Sequence, residues 1–361
     1  MGFSFIRHDT NVDFVSMRHK AYVISIAIIA VGLLSMVFKG GLTYGIDFAG
    51  GAIVQVKFDR PVPDDTLKKS LAEASLPGLA VQRFGEGETE YLIRMSHTDE
   101  SAETLRSSVT EALTTNLKDA KFEVQRLEMV GPKVGADLKS KAVEALYYAV
   151  LLIAIYISGR FERRWMASAV MAGTLAGGMY LLGLIGVPKL WLVPFSLVLT
   201  MVLCWKLRLN FALGAIVALV HDVMITLGVL SLLDKEVDLN IVAALLTLIG
   251  YSLNDTIIVY DRIRETLRTH RKEWNYARII NTSINQTLSR TILTGGTTLL
   301  VILALFVLGG GVIHDFALTM LVGVFVGILS SIFVASPVLL HFGMPEEEKE
   351  PAPRVGQEGA V

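Results

Sequence analysis

Long charge-free runs recur along this chain, and only one extended interval interrupts them. Tyr22–Phe38 carries no charge and follows the basic cluster Arg18, His19 and Lys20. Further apolar runs lie at about 142–158, 166–187, 190–205, 211–233, 239–260, 291–310 and 316–341. Each approaches the roughly 20 residues that cross a hydrocarbon core. Eight spans are therefore predicted, the 190–205 segment being the shortest and holding Pro194. Such a pattern excludes an ordinary soluble enzyme, and composition agrees: of 361 residues 52% are apolar and only 19% charged. The first run ends at Lys39-Gly40-Gly41 without a small-x-small cleavage site, so it is read as a retained anchor.

Orientation follows from the basic residues beside the spans, which mark cytoplasmic loops. Arg7, Arg18 and Lys20, then Arg160, Arg163 and Arg164, then Lys206 and Arg208, and finally the Arg262–Arg290 segment fall on one side, against Lys189 and Lys235 on the other. Both termini are expected in the cytoplasm. Residues 39–141 are then outside, and the Glu- and Pro-rich tail from 342 on is expected to be a disordered cytoplasmic extension. Between Arg264 and Arg290 the basic, partly amphipathic sequence with Trp274 and Tyr276 predicts a helix lying along the membrane surface.

Residues 39–141 read as a soluble unit. Ala52, Val54, Val56 and Phe58 alternate with Ile53, Gln55 and Lys57, the period of a half-buried strand. Asp64 and Asp65 suit a helix start, strands follow at about 79–84 and 90–95 around Gly85-Glu86-Gly87-Glu88, and a helix at about 101–117 precedes a strand at about 121–129. That order, β-α-β-β-α-β, predicts an α+β ferredoxin-like domain. His97 stands alone in a polar turn and reads as a solvated loop residue.

Chemistry is sparse. A net charge of −1 gives no reason to expect nucleic acid, the single cysteine, Cys204, excludes a disulfide framework or a Cys-based metal site, and no GxxxxGK[ST] loop is present. No cofactor or metal is expected, and the chain does not read as an enzyme. The signal lies instead in ionisable residues within spans, which are costly there and functional by default. His221 and Asp222 sit near the centre of the 211–233 run. Tyr251, Asp255 and Arg262 fall on one helical face of the next, beside Asn254. Span positions place Asp255 roughly 9 Å nearer the cytoplasm than Asp222, a gap suited to a short water chain. Thr291-Ile292-Leu293-Thr294-Gly295-Gly296-Thr297-Thr298 reads as a close helix-packing segment.

Three motifs together carry a family resemblance: Gly45-Ile46-Asp47-Phe48-Ala49-Gly50-Gly51, His221-Asp222, and Gly250-Tyr251-Ser252-Leu253-Asn254-Asp255 running into Asp261-Arg262-Ile263-Arg264-Glu265, with Val130-Gly131-Pro132-Lys133-Val134-Gly135 also matching. Over about residues 12–342 the chain resembles the SecF family of the bacterial SecDF export complex, related to the resistance-nodulation-division transporters. The resemblance implies a polytopic helical protein of the inner membrane that pairs with SecD. With the SecYEG channel and its accessory subunits it would use proton entry to help draw unfolded preproteins across the bilayer. It matches Asp222 to the proton-carrying aspartate and Arg262 to the functional arginine. Asp255 joins them as a proton-coupling candidate, with His221, Asn254 and Tyr251 as supporting polar groups and Gly45, Asp47, Gly50 and Gly51 as the motif leading into the external domain. A scaffold without coupling is the alternative, and a free-standing exporter of small lipophilic compounds is less favoured, since one such domain on about six spans resembles half a transporter.

The family pattern has six spans, so the region around 164–208 reads as an extra hairpin. At an offset of 45 residues Arg163 aligns with Arg208, Ala167 with Ala212, Met179 with Met224, Leu182 with Leu227 and Gly183 with Gly228. Ala176-Gly177 then stands where the second copy has His221-Asp222, so the hairpin is expected at the periphery.

Overall fold

The computed structural model describes residues 11–72, 76–84, 89–96, 101–117, 120–162, 165–186 and 189–343. The Gly85–Glu88 turn, His97, Arg7, Arg163, Arg164 and the tail from Met344 lie outside them.

Helix α1 (Arg18–Phe38) leads into a short helix α2 (Ile46–Ala49), then β1 (Gly51–Phe58), α3 (Asp64–Ala72), β2 (Ala80–Phe84), β3 (Glu90–Met95), α4 (Ala102–Asn116) and β4 (Phe122–Val130). The sheet is antiparallel with order β2-β3-β1-β4, the ferredoxin-like arrangement predicted from the pattern. Ala52, Val54, Val56 and Phe58 point inward and are all but fully buried, against Leu67 and Leu71 of α3 and Leu105, Val109 and Leu113 of α4. Ser101 caps α4 by accepting the Thr104 N–H. Tyr91 crosses the core to Val62, donating to its carbonyl at 2.5 Å and accepting its N–H at 3.0 Å.

No linker separates the sheet from the helices beyond it. Pro132 opens α5 (Pro132–Glu162) one residue after β4 ends, in the first-turn position where its missing N–H costs nothing. Then come α6 (Trp165–Leu184), α7 (Lys189–Lys206), α8 (Asn210–Leu232), α9 (Leu239–His270), α10 (Tyr276–Leu308) and α11 (Gly310–Ser330). Among the described residues seven helices are long and apolar enough to cross a membrane, with Pro194–Lys206 as a shorter apolar helix. The eight predicted apolar segments are thus all helical. The surface helix is not: α9 runs on to His270, and α10 starts at Tyr276 after a tight turn. Ile279, Ile280 and Ile284 of α10 bury with Ile263 and Leu267 of α9, and Ser283 donates to Thr266 at 3.0 Å. That apolar stripe faces a neighbouring helix rather than lipid.

Helix α8 is the centre of the bundle, apolar on every side and touching α1, α5, α7, α9 and α11. Its contact with α1 is parallel and in constant register. Ser25 meets His221 and Ser35 meets Ser231, both at an offset of 196 residues, and at the same offset Gly32 faces Gly228. A Cβ on Gly32 would sit 2.7 Å from Gly228 Cα, so only glycine permits the approach. Helices α6 and α7 pack on α5, each other and α8, with Met171, Leu175 and Cys204 buried beneath them and Ala176 and Gly177 exposed.

After Ser330 the last helix widens into a π turn, Ser331–Ala335. Pro337 lacks the N–H that an α-helix would aim at Phe333, and Ser336 Oγ donates back to the Ser331 carbonyl at 2.7 Å. Tyr260 of α9 donates to Ala335 O at 3.0 Å through a gap left by Gly214, where a Cβ would lie 2.3 Å from the phenol oxygen.

Candidate functional site

Three helices converge on one carboxyl group. Asp222 of α8 is 1% exposed. Its Oδ2 accepts from Ser252 Oγ of α9 at 2.5 Å and from Ser330 Oγ of α11 at 2.8 Å. Its Oδ1 lies 2.8 Å from His221 Nδ1, and His221 Nε2 lies 2.8 Å from Ser25 Oγ of α1. Thr226 closes the backbone side by donating to the Asp222 carbonyl at 2.7 Å. The result is a continuous polar chain, Ser25, His221, Asp222, Ser252 and Ser330, inside an apolar bundle.

The partners suit two protonation states. A carboxylate accepts from both hydroxyls and from an imidazole N–H. A neutral acid can instead donate to Ser330 Oγ, because that hydroxyl has a second acceptor, Gly327 O, at 3.1 Å. Gly327 also makes room for the site, since a Cβ there would stand 3.0 Å from Ser252 Cβ. Apart from His221, the side chains bonded to Asp222 are serine hydroxyls, so among the described residues no lysine or arginine is bonded to the carboxyl.

The predicted stripe on α9 exists but faces elsewhere. Tyr251 donates to Thr294 O of α10 at 3.2 Å, and Arg262 Nε donates to Gln286 Oε1 at 2.6 Å. This antiparallel register sets Asp255 opposite the Arg290–Thr294 turn of α10. Asp255 is 1% exposed, and neither its Oδ2 nor Thr291 Oγ1 has a hydrogen-bond partner among the described residues. Because Ser252 touches Asp222, Asp255 is only three residues further along α9, about 4.5 Å of rise rather than 9 Å. The centres of the two spans do not share a depth, because α9 is displaced along α8.

Arg262 is farther off, about ten residues or roughly 15 Å along α9 from Ser252. There it pairs with Glu265 at 2.6 Å and is partly exposed. Among the described residues nothing brings it to Asp222. Asn254 lies on the exposed face of α9. Sequence reasoning missed Ser25, Ser252 and Ser330: a lone serine in an apolar run carries no signal until the register of the helices is known.

The glycine motif performs a different task, docking the sheet onto the loop between α8 and α9. Gly45 N–H donates to Val237 O at 3.0 Å, Val237 N–H donates to Thr43 O at 2.8 Å, and Asp47 Oδ2 accepts the Leu239 N–H at 3.1 Å. Asp47 therefore caps α9 jointly with Asp238, which accepts from Ile241 N–H at 2.8 Å. Burial raises the Asp238 carboxyl above the usual range, the Ile241 N–H opposes this, and the Asp47 charge adds to it. Gly50 and Gly51 have φ of +76° and +130°, and a Cβ on Gly51 would strike Met95 O at 2.5 Å.

Comparison with known proteins places this geometry. A family model described as protein export membrane protein SecD/SecF, C-terminal, matches residues 109–190 and 184–345, and one described as the SecD/SecF GG motif matches 35–62. Proteins named protein translocase subunit SecF are similar over nearly their whole length. One from Calditerrivibrio nitroreducens is 40% identical over 337 residues, 92% of this chain and 94% of that one. Another, from Magnetococcus marinus, is 43% identical over 334 residues, 92% of each. The crystal structure of SecDF, a translocon-associated membrane protein from Thermus thermophilus, superposes with a TM-score of 0.67 at 31% identity. The match covers 93% of this chain and 39% of that longer one.

Proposed function

This chain belongs to the SecF family of protein-export membrane proteins, and from that premise we propose that it is the SecD-paired subunit that converts proton entry at Asp222 into work on preproteins leaving the SecYEG channel. The observation that carries the reading is the buried Asp222 carboxyl, bonded by side chains from α9 and α11 and by its neighbour His221, with hydroxyl partners able to serve it charged or neutral. Gaining or losing a proton changes which of those hydroxyls donate, and so changes what holds α8, α9 and α11 together. No covalent chemistry is involved.

Asp255 is the second station on this path, one helical turn nearer the basic ends of α9 and α10, with an unpaired carboxyl oxygen to receive a proton through water. Arg262 closes the path at that end, and the arginines around it set the cytoplasmic side, with both termini there and the sheet domain in the periplasm. The α6–α7 hairpin is an addition to a six-span core, in keeping with a family match made in two segments, 109–190 and 184–345, that overlap within it.

The test is export in proteoliposomes holding SecYEG, its ATP-driven motor, SecD and this chain, with and without an imposed proton gradient. Asp222→Asn keeps the shape and cannot titrate. It should leave the SecD complex assembled and ATP-driven export intact while abolishing the increment due to the gradient. Full gradient dependence in that variant would leave only a scaffolding role.

A further inference from the structure

Asp222, Ser252 and Ser330 are carried by three different helices, and those helices meet again at the end of the bundle that faces the sheet. About 14 to 15 residues from the site, roughly 21 Å along α9 and α11, stand Glu236 in the loop after α8, Asp238 at the start of α9 and Asp315 near the start of α11. These carboxylates form an acidic cup. Lys235 pairs with Asp315 at 2.7 Å and ties the α8–α9 loop to α11. Into the cup reaches one cation from the sheet: Arg94 of β3 pairs with Glu236, and the charges of Asp238 and Asp315 act on it. Burial pulls the guanidinium below its ordinary range while both aspartates pull it back up, which marks a side chain drawn out of water into the cup.

Resting on the proton-coupled reading of Asp222, we propose that Arg94 is the coupling residue, a positioning group through which rearrangement of α8, α9 and α11 around Asp222 is transmitted to the sheet domain. The glycine motif supplies the pivot for this movement. Its backbone bonds to Val237, the Asp47 cap and the packing of α2 on α5 hold the domain to α5 and the α8–α9 loop, whereas the cup that receives Arg94 is tied to α11 through Lys235 and Asp315. A relative shift of α11 against α8 and α9 therefore alters the cup without unfastening the pivot. Arg94 also sits beside Met95, whose carbonyl packs on Gly51, so displacement of its side chain acts on the base of the sheet.

The experiment uses the full complex with SecD in lipid. In a Cys204→Ser background, spin labels at Lys69→Cys on α3 and Leu308→Cys at the end of α10, both exposed positions, report the distance from domain to bundle. Asp222→Asn should shift that distance distribution when Arg94 is present. Arg94→Gln should remove the shift, and Arg94→Lys, which keeps the charge, should restore it. In the export assay Arg94→Gln should lose the gradient-dependent increment and keep ATP-driven export and SecD association. A shift that persists in Arg94→Gln, no shift on Asp222→Asn with Arg94 in place, or retained gradient dependence in Arg94→Gln overturns the coupling role alone. Retained gradient dependence in Asp222→Asn overturns the reading of Asp222, and the coupling with it.

Discussion

Gly32→Ala tests how α1 holds the site. The added Cβ lies 2.7 Å from Gly228 Cα and 3.5 Å from Gly228 C, whereas carbon atoms rest at about 3.5 to 4.0 Å. The helices must part by about 1 Å at that level. Two turns away on the same face, Ser25 Oγ is 2.8 Å from His221 Nε2, and parting by about 1 Å takes that pair beyond hydrogen-bond range. Overpacking costs about 1–3 kcal/mol and the lost bond about 1 kcal/mol, offset by about 1 kcal/mol from the better helix former. The net expectation is a loss of about 1–3 kcal/mol, read as a lower melting temperature of the purified SecD complex. A changed nitrogen resonance of His221 should accompany it. Gly250→Ala is the control, because nothing lies within 4 Å of its Cβ. An unchanged melting temperature and an unchanged His221 signal in Gly32→Ala would refute the parallel register of α1 on α8.

Other expectations are local. Tyr91→Phe strips a buried donor and acceptor from Val62 and should cost the sheet about 1–3 kcal/mol, seen as faster amide exchange in β1 and β3 with the bundle unaffected. Gly214→Ala should destabilise the bundle by driving Tyr260 off the π turn, and adding Tyr260→Phe should recover part of the loss. Single cysteines at Glu86 and at Glu348 in a Cys204→Ser chain should label from opposite sides of the membrane, and labelling from one side would overturn the charge-based orientation. Joining Glu162 to Arg208 removes α6 and α7, which pack mainly on α5 and α8, and should preserve SecD association and gradient-dependent export.

The sheet domain was readable because its central strand alternates from Ala52 to Phe58. Ala52 to Phe58 announce one buried face, and the turn residues mark the boundaries, so pattern alone led to the observed order of strands. Apolar runs located the membrane helices but not their ends. Hydropathy falls at Tyr260 and rises again at Thr291, while α9 and α10 stay helical on either side of the turn because each buries an apolar stripe on the other. Asp222 stood out as a charge where charges are expensive. Its serine partners did not, because which serine meets which aspartate depends on how far one helix slides along another. That slide is set by contacts such as Gly32 on Gly228, invisible in either segment alone. The acidic cup was hidden for the same reason, being assembled from β3, a loop and the start of α11.

On the proposed function, the Asp222 carboxyl changes protonation while the complex works. Infrared difference spectroscopy of the SecD complex in proteoliposomes, with aspartate carboxyls isotopically labelled, observes that step directly. When a proton gradient is imposed during export, a protonated-carboxyl band should change in the native protein and be absent from Asp222→Asn, while Asp255→Asn retains it. The same band change in Asp222→Asn, or none in the native protein during gradient-driven export, would mean that Asp222 does not carry the proton.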